Sequence, residues 1–152
     1  MEIREGGLDD PRVVDLVNLH SNLGLAQSDP GTAHPLDIAK LRSPNVRFWT
    51  VWDGGELLGC GALRLLSAEH GELKTMHTVE RARCRGIGSA LLAHIVLEAS
   101  RDGIVRLSLR TGSQAYFAAA RDLYRRHGFT ECPPFIGHTE NSGSVFMTRE
   151  VG

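Results

Sequence analysis

Between Val79 and Gly86 the sequence changes period, and this change limits the folds open to it more than any other feature. Upstream the texture is strand-like. Residues 46–52 mix β-branched and aromatic side chains, Asp53-Gly54-Gly55 is a hairpin signal, and residues 56–66 read as the return strand. Residues 70–79 form a third strand, so the three make an antiparallel meander. Downstream, Ile87, Leu91, Leu92, Ile95 and Ala99 fall on one stripe of a helix over 86–101, and Gly103 lies just past its end. Residues 104–111 alternate as a strand. Residues 114–127 read as a second helix with Phe117, Ala120, Leu123 and Tyr124 inward, stopped at Gly128, and Phe129 folds back onto its last turn. Residues 144–150 close the sheet. A strand-helix-strand crossover makes the strands at 70–79 and 104–111 parallel. The expected class is therefore α/β (α+β): a mixed, mainly antiparallel sheet of about six to seven strands with helices on both faces.

The first part of the chain is less marked. Residues 2–5 predict a short strand. Asp9-Asp10-Pro11 is a helix start, followed by Val13, Leu16, Val17 and His20 at helical spacing. Residues 26–35 read as a loop and 36–41 as further helical turns, ended by Pro44. At 152 residues, the chain is expected to form one domain over 1–152.

Composition removes several function classes. A formal net charge of -1 offers no general attraction to nucleic acid or to an anionic membrane, so neither is an expected partner. The N-terminal residues are polar rather than those of a signal peptide, and no apolar run approaches the ~20 residues that cross a bilayer. Cys60, Cys84 and Cys132 show no C-x-x-C spacing, which fits a reduced, cytoplasmic setting. The seven histidines include no H-E-x-x-H pair, so no metal is expected.

The chemistry concentrates in Arg83-Cys84-Arg85-Gly86-Ile87-Gly88-Ser89, a turn between a strand and an amphipathic helix. Its two glycines let the backbone turn tightly and approach a ligand. The helix start presents unpaired N–H groups and the positive end of a dipole, and Arg81, Arg83 and Arg85 add charge. Together these make a phosphate site. The run is not G-x-x-x-x-G-K-[ST], and it does not follow a first strand as G-x-G-x-x-G would.

The pattern Arg-x-x-Gly-x-Gly after a meander resembles the GNAT superfamily of N-acetyltransferases. So does Ala120-Arg121-Asp122-Leu123-Tyr124-Arg125-Arg126-His127-Gly128-Phe129, which matches that family's A-x-x-L-Y-x-x-x-G-F helix end. Gly59-Cys60-Gly61-Ala62-Leu63, Gly71-Glu72-Leu73-Lys74-Thr75-Met76 and Leu109-Arg110-Thr111-Gly112-Ser113 look like a bacterial subgroup acting on small molecules. The likeness runs from about Arg47 to the C-terminus. It implies a parallel strand pair that splays apart, and acetyl-CoA as acetyl donor. Arg83, Cys84, Arg85, Gly86, Ile87, Gly88 and Ser89 then wrap the pyrophosphate. The backbone of Met76, His77 and Thr78 meets the pantetheine arm, one amide near Met76 polarising the thioester carbonyl, with Thr111 and Gly112 across the gap and Phe117 and Ala120 beside the cofactor. Phe117 stands where many relatives carry an asparagine that bonds the cofactor arm.

Acetyl transfer requires a neutral amine, and a free alkylamine has a pKa of roughly 10, so a base is needed. Glu72 is the candidate base, directly or through water, with His77 as the alternative. Tyr124, whose family counterpart points at the cofactor sulfur, is the candidate acid. Straight alternation groups His70, Glu72, Lys74 and Met76 on one strand face, unless a bulge shifts the register. Cys84 lies a pantetheine arm away from the thioester, so direct transfer is preferred to an acetyl-cysteine; Cys60 reads as core. His20, His34, Trp49 and Trp52 are placed at the border of the substrate cleft by family layout. The expected activity is transfer of acetyl to a primary amine of a small molecule or amino acid. The alternatives are a protein lysine or N-terminal acetyltransferase and a non-catalytic acyl-CoA sensor; the acceptor itself is open, and a homodimer is one option for the assembly.

Overall fold

A computed structural model describes residues 1–27 and 38–152. The strands are β1 (Glu2–Glu5), β2 (Val46–Asp53), β3 (Glu56–Leu65), β4 (His70–Thr78), β5 (Arg106–Gly112), β6 (Thr130–Glu131) and β7 (Ser144–Glu150). The helices are α1 (Pro11–Gln27), α2 (Ile38–Leu41), α3 (Ile87–Arg101) and α4 (Ala118–Arg126). The seven strands form one sheet in the order β1-β2-β3-β4-β5-β7-β6. Only β4 and β5 run parallel; the other neighbours are antiparallel.

Local signals explain most boundaries. Asp10 accepts the Arg12 N–H at 2.9 Å, capping α1, and Pro11 needs no partner for its missing N–H. Gly54 and Gly55 both take positive φ, 55° and 91°, as the tight turn between β2 and β3 requires. The predicted stripe of α3, Ile87 through Ala99, is buried throughout. The helix predicted over 114–127 is shorter: a 3-10 turn, Ala115–Phe117, precedes α4. Helix α1 runs to Gln27, past the predicted start of a loop at Ala26. His34, and the rest of the loop and turns predicted up to Asp37, lie outside the described residues.

Each face of the sheet has its own core. On one, Leu63, Leu73, Leu107, Leu109 and Met147 pack against α3 and α4. On the other, Phe48, Trp52, Cys60 and Ala62 pack against Val13, Leu16 and Val17 of α1. Strand β4 changes phase between the two. The register with β3 slips between Cys60 and Ala62, opposite Thr75, whose φ is 57°. A β-branched residue there marks an imposed bulge. Strict alternation is thereby corrected: Met76 joins Leu73 against the α3 core, while Glu72 and His77 face the other side. Gly61 makes room, since a Cβ on it would stand 2.5 Å from the Met76 sulfur.

Candidate active site

The parallel pair supplies the opening. Strands β4 and β5 are in register at His70–Arg106, Gly71–Leu107, Glu72–Ser108 and Leu73–Leu109 and pair no further, although β5 stays paired with β7 to Gly112. Beyond Leu73 the two strands part, leaving a gap bordered by Lys74–Thr78 on one side and Arg110–Gly112 on the other. Met76, His77, Thr78, Thr111 and Gly112 all border it.

At the open end of the gap lies the glycine turn. Cys84 and Gly86 take positive φ, 63° and 78°, and Gly86 is the left-handed N-cap of α3 without a side-chain cap. The first amides of α3, at Ile87, Gly88 and Ser89, therefore point outward from a helix start. Gly88 is held close: a Cβ there would sit 3.3 Å from Leu123 and 3.6 Å from the Thr78 hydroxyl. The Ser89 hydroxyl meets His127 Nε2 at 2.7 Å, tying α3 to the end of α4. Ile87 is buried in the core while Arg83, Cys84 and Arg85 are exposed. The charge of this turn is partly balanced, because Arg81 and Arg85 lie 3.6 Å from Glu56 and Asp53 of the β2–β3 hairpin.

Tyr124 is buried in the α3-side core, its ring edge-on to Phe129 at 5.9 Å. Burial pushes its phenol up to about 12. Ala120 packs beside it. Phe117 stands outside that core, over Gly112, and stacks edge-on against Tyr116 at 5.0 Å. Close by, Gln114 keeps Oε1 and Nε2 buried with no hydrogen-bond partner among the described residues, and its Oε1 lies 2.7 Å from where a Gly112 Cβ would be. A buried amide with donor and acceptor both open costs stability unless a ligand completes it. An arm carrying amide groups fits that demand, and the bare helix start fits a pyrophosphate, so these residues suit acetyl-CoA.

Glu72 occupies the opposite face, 2% exposed. His138, on the connection between β6 and β7, holds Glu72 Oε2 through Nε2 at 2.8 Å and packs against Phe135 and Phe146. Arg64 approaches Glu72 Oε1 at 3.3 Å and Lys74 at 4.0 Å. Neither His138 nor Arg64 stands out in the sequence as a site residue. His138 lies in a connection without a motif, 66 residues from Glu72, and only the return of β7 beside β5 brings them together. His77, the other candidate base, meets His20 of α1 Nδ1 to Nδ1 at 3.1 Å. Burial lowers both imidazoles, His20 to about 4, so both are neutral at pH 7.

Two placements differ from the family layout. Trp49 is 1% exposed and packs in the α3-side core under the Arg47 guanidinium, so it borders no cleft. Trp52 is likewise buried, donates to the Thr50 hydroxyl at 2.7 Å, and lies beneath Arg4 and Arg12. Cys60 is core, as its pattern suggests, and its thiol is pushed up to about 12 by burial.

Residues 44–131 match the family model described as Acetyltransferase (GNAT) domain. The chain is 44% identical over 151 residues to an uncharacterized N-acetyltransferase, YsnE, of Bacillus subtilis, covering 99% of this chain and 100% of that one. It is 35% identical to an IAA acetyltransferase of Azospirillum brasilense, over 97% of this chain and 95% of that one. A GNAT family acetyltransferase from Elizabethkingia anophelis, solved with acetyl-CoA bound, shares the fold at a TM-score of 0.71 with 20% identity, over 98% and 97% of the two chains.

Proposed function

The chain belongs to the GNAT family of acetyltransferases, and on that premise we propose that it moves acetyl from acetyl-CoA directly to a primary amine of a small molecule or amino acid. The observation that carries this reading is the gap beyond Leu73 and Leu109, with a buried phenol in the core of one face and a carboxylate–imidazole pair on the other. A reacting group lodged in that gap is reached from both sides of the sheet.

Acetyl-CoA supplies the acetyl group as a thioester: the nitrogen–carbon bond forms, the carbon–sulfur bond breaks, and its electron pair leaves on sulfur. The amides at Ile87, Gly88 and Ser89, with the turn Arg83–Gly86, hold the pyrophosphate. Gln114 takes the polar contact that Phe117 cannot make. The backbone of Met76, His77 and Thr78 lines the arm, with Thr111 and Gly112 opposite and Ala120 behind it.

Tyr124 keeps its proton, because burial pushes the phenol to about 12. A thiolate near the ordinary thiol pKa of roughly 8.5 does not take that proton outright. Tyr124 therefore serves as a hydrogen-bond donor that stabilises charge developing on sulfur, a contact stronger as the bond breaks than before it. The amine's proton goes to the Glu72–His138 pair, His138 being the outer member and Glu72 fixing its Nε2. Cys84 lies exposed at the pyrophosphate turn and takes no part in the transfer.

Release of free thiol from acetyl-CoA, followed against amino acids, polyamines, aminoglycosides, peptides and IAA, tests the reading. Release that depends on a small amine supports it. Release only with a peptide or protein acceptor moves the chain to the protein acetyltransferases. A melting shift with CoA but no release with any amine makes it a sensor.

A further inference from the structure

Strand β5 ends at Gly112, beyond its last rung with β4 at Leu109, and the chain bends through Gly112-Ser113-Gln114 on its way to α4. This bend is held from two sides. Arg121 of α4 donates through one Nη1 to the carbonyl oxygens of Gly112 at 2.7 Å and of Gln114 at 2.9 Å. From the β6–β7 connection, the Ser142 carbonyl accepts the Ser113 hydroxyl at 2.7 Å and the Gly143 carbonyl accepts the Ser113 N–H at 3.2 Å. A guanidinium placed on two main-chain carbonyls fixes the course of the backbone between them.

What the clamped bend presents is the Gln114 side chain. Its Oε1 and Nε2 are buried with no hydrogen-bond partner among the described residues. Its Oε1 lies against Gly112 on the lip of the gap, 2.7 Å from where a Cβ would stand. The same Cβ would overlap the Phe117 ring, so the bare Gly112 leaves the space that both side chains use. A carboxamide with donor and acceptor both open is complementary to a second amide, whose N–H meets Oε1 and whose carbonyl meets Nε2. Leaving such a group buried and open costs stability, and a bend already fixed in place lowers the cost of ordering it when a ligand arrives.

We propose that Arg121 is a positioning residue for the acetyl donor: it fixes the bend at residues 112–114 so that the Gln114 carboxamide grips an amide of the pantetheine arm, and the chain thereby selects donors whose arm carries amides. This rests on the acetyltransferase reading above and adds to it the residue that aims Gln114. Arg121 and Tyr124 both belong to α4, so the helix that places the phenol also sets the bend.

The test compares, by calorimetry on the full chain, CoA with 3′-phospho-ADP, which keeps the pyrophosphate and lacks the arm. Gln114→Leu and Arg121→Leu are each expected to weaken CoA about tenfold and to leave 3′-phospho-ADP within about twofold. Arg121→Lys, which keeps a donor for the two carbonyls, restores most of the affinity. In turnover the loss falls on KM for acetyl-CoA rather than on kcat. The double variant binds CoA no worse than Gln114→Leu alone, because Arg121 acts through Gln114. Parent-like CoA binding by Gln114→Leu overturns the proposal, as does a double variant whose losses simply add. Equal weakening of CoA and 3′-phospho-ADP in Arg121→Leu overturns it too, since Arg121 then only supports the framework. If Arg121→Leu does not fold, Arg121→Gln carries the same expectation and the same refutation. A parent chain that binds 3′-phospho-ADP as tightly as CoA has no grip on the arm and refutes the proposal alone, whereas a parent that binds neither removes the acetyltransferase reading itself.

Discussion

The two faces of the sheet are built on opposite principles. The α3–α4 face is an apolar core in which Leu73, Leu91, Leu92, Ile95, Leu107 and Leu109 are each under 5% exposed, with the Tyr124 phenol held inside. The α1 face is apolar only under α1. Towards β5 it becomes polar: Arg64, Lys74 and His138 meet Glu72, while on β5 Ser108 bonds His70 and Arg110 the Ser144 hydroxyl. On the proposed reading, the first face presents a fixed frame to a cofactor whose chemistry never varies. The second face offers charges and a loop, the parts that differ most easily between acceptors.

That contrast predicts a split between the two chemical roles. Tyr124→Phe is expected to lower kcat about 100-fold while leaving CoA binding within about twofold, the low end for a group acting on developing charge. Its pH profile should keep the parent shape. Glu72→Gln is expected to cost a similar factor of about 100, but with the rise of kcat/KM with pH flattened. Stopped-flow thiol release across pH checks both. A Tyr124→Phe chain of full activity, or identical profiles for the two variants, erases the division of labour between the faces.

The next largest effect concerns the strand that couples them. Gly59 of β3 lies under β4, and a Cβ there would stand 2.8 Å from the His77 carbonyl oxygen, a backbone atom that cannot rotate away. Gly59→Ala is expected to destabilise by about 2 kcal/mol, as overpacking does, and to weaken CoA binding by shifting His77. Gly61→Ala meets side chains and no backbone, the flexible Met76 thioether at 2.5 Å, Ile95 at 3.0 Å and Leu91 at 3.2 Å, and should cost less. Denaturant midpoints for the pair rank them. A Gly61→Ala chain less stable than Gly59→Ala contradicts a rigid β4 edge at His77.

How much could be read from the sequence follows the same division. The α3 stripe, the Gly86 turn and the Tyr124–Phe129 helix end are local signals, each set by residues within a few positions of one another, and the structure has them as expected. The bulge at Thr75 is not local: it depends on Gly61 across the ladder, so simple alternation puts Met76 on the wrong face. Trp49 and Trp52 mislead for a related reason. Aromatic residues at a strand suggest a cleft, but guanidinium groups close over both, Arg47 of the same strand over Trp49, and Arg4 of β1 with Arg12 of α1 over Trp52. The charged field around Glu72 is the least legible part, since its members come from β3, β4, β5 and the β6–β7 connection and share no motif.

The smallest expected effect sharpens the comparison through pH. His20 reaches His77 between α1 and β4, and burial, followed by the charge His77 itself can carry, lowers His20 from 6.5 to about 4. A histidine whose folded pKa is depressed favours folding when neutral. Its contribution is whole above about pH 6.5 and drains as pH falls toward 4, because the unfolded chain takes up the proton first. The full shift corresponds to roughly 3 kcal/mol, and solvent reaching the half-buried ring reduces this to about 1 kcal/mol. His20→Gln is therefore expected to flatten the acid side of the melting curve by about 1 kcal/mol between pH 6.5 and 4, whatever it costs at pH 8. Melting temperatures of both chains over that window measure the difference. Parallel curves mean that the imidazole pair is not desolvated, and that the α1 face is as indifferent to pH as the apolar face behind it.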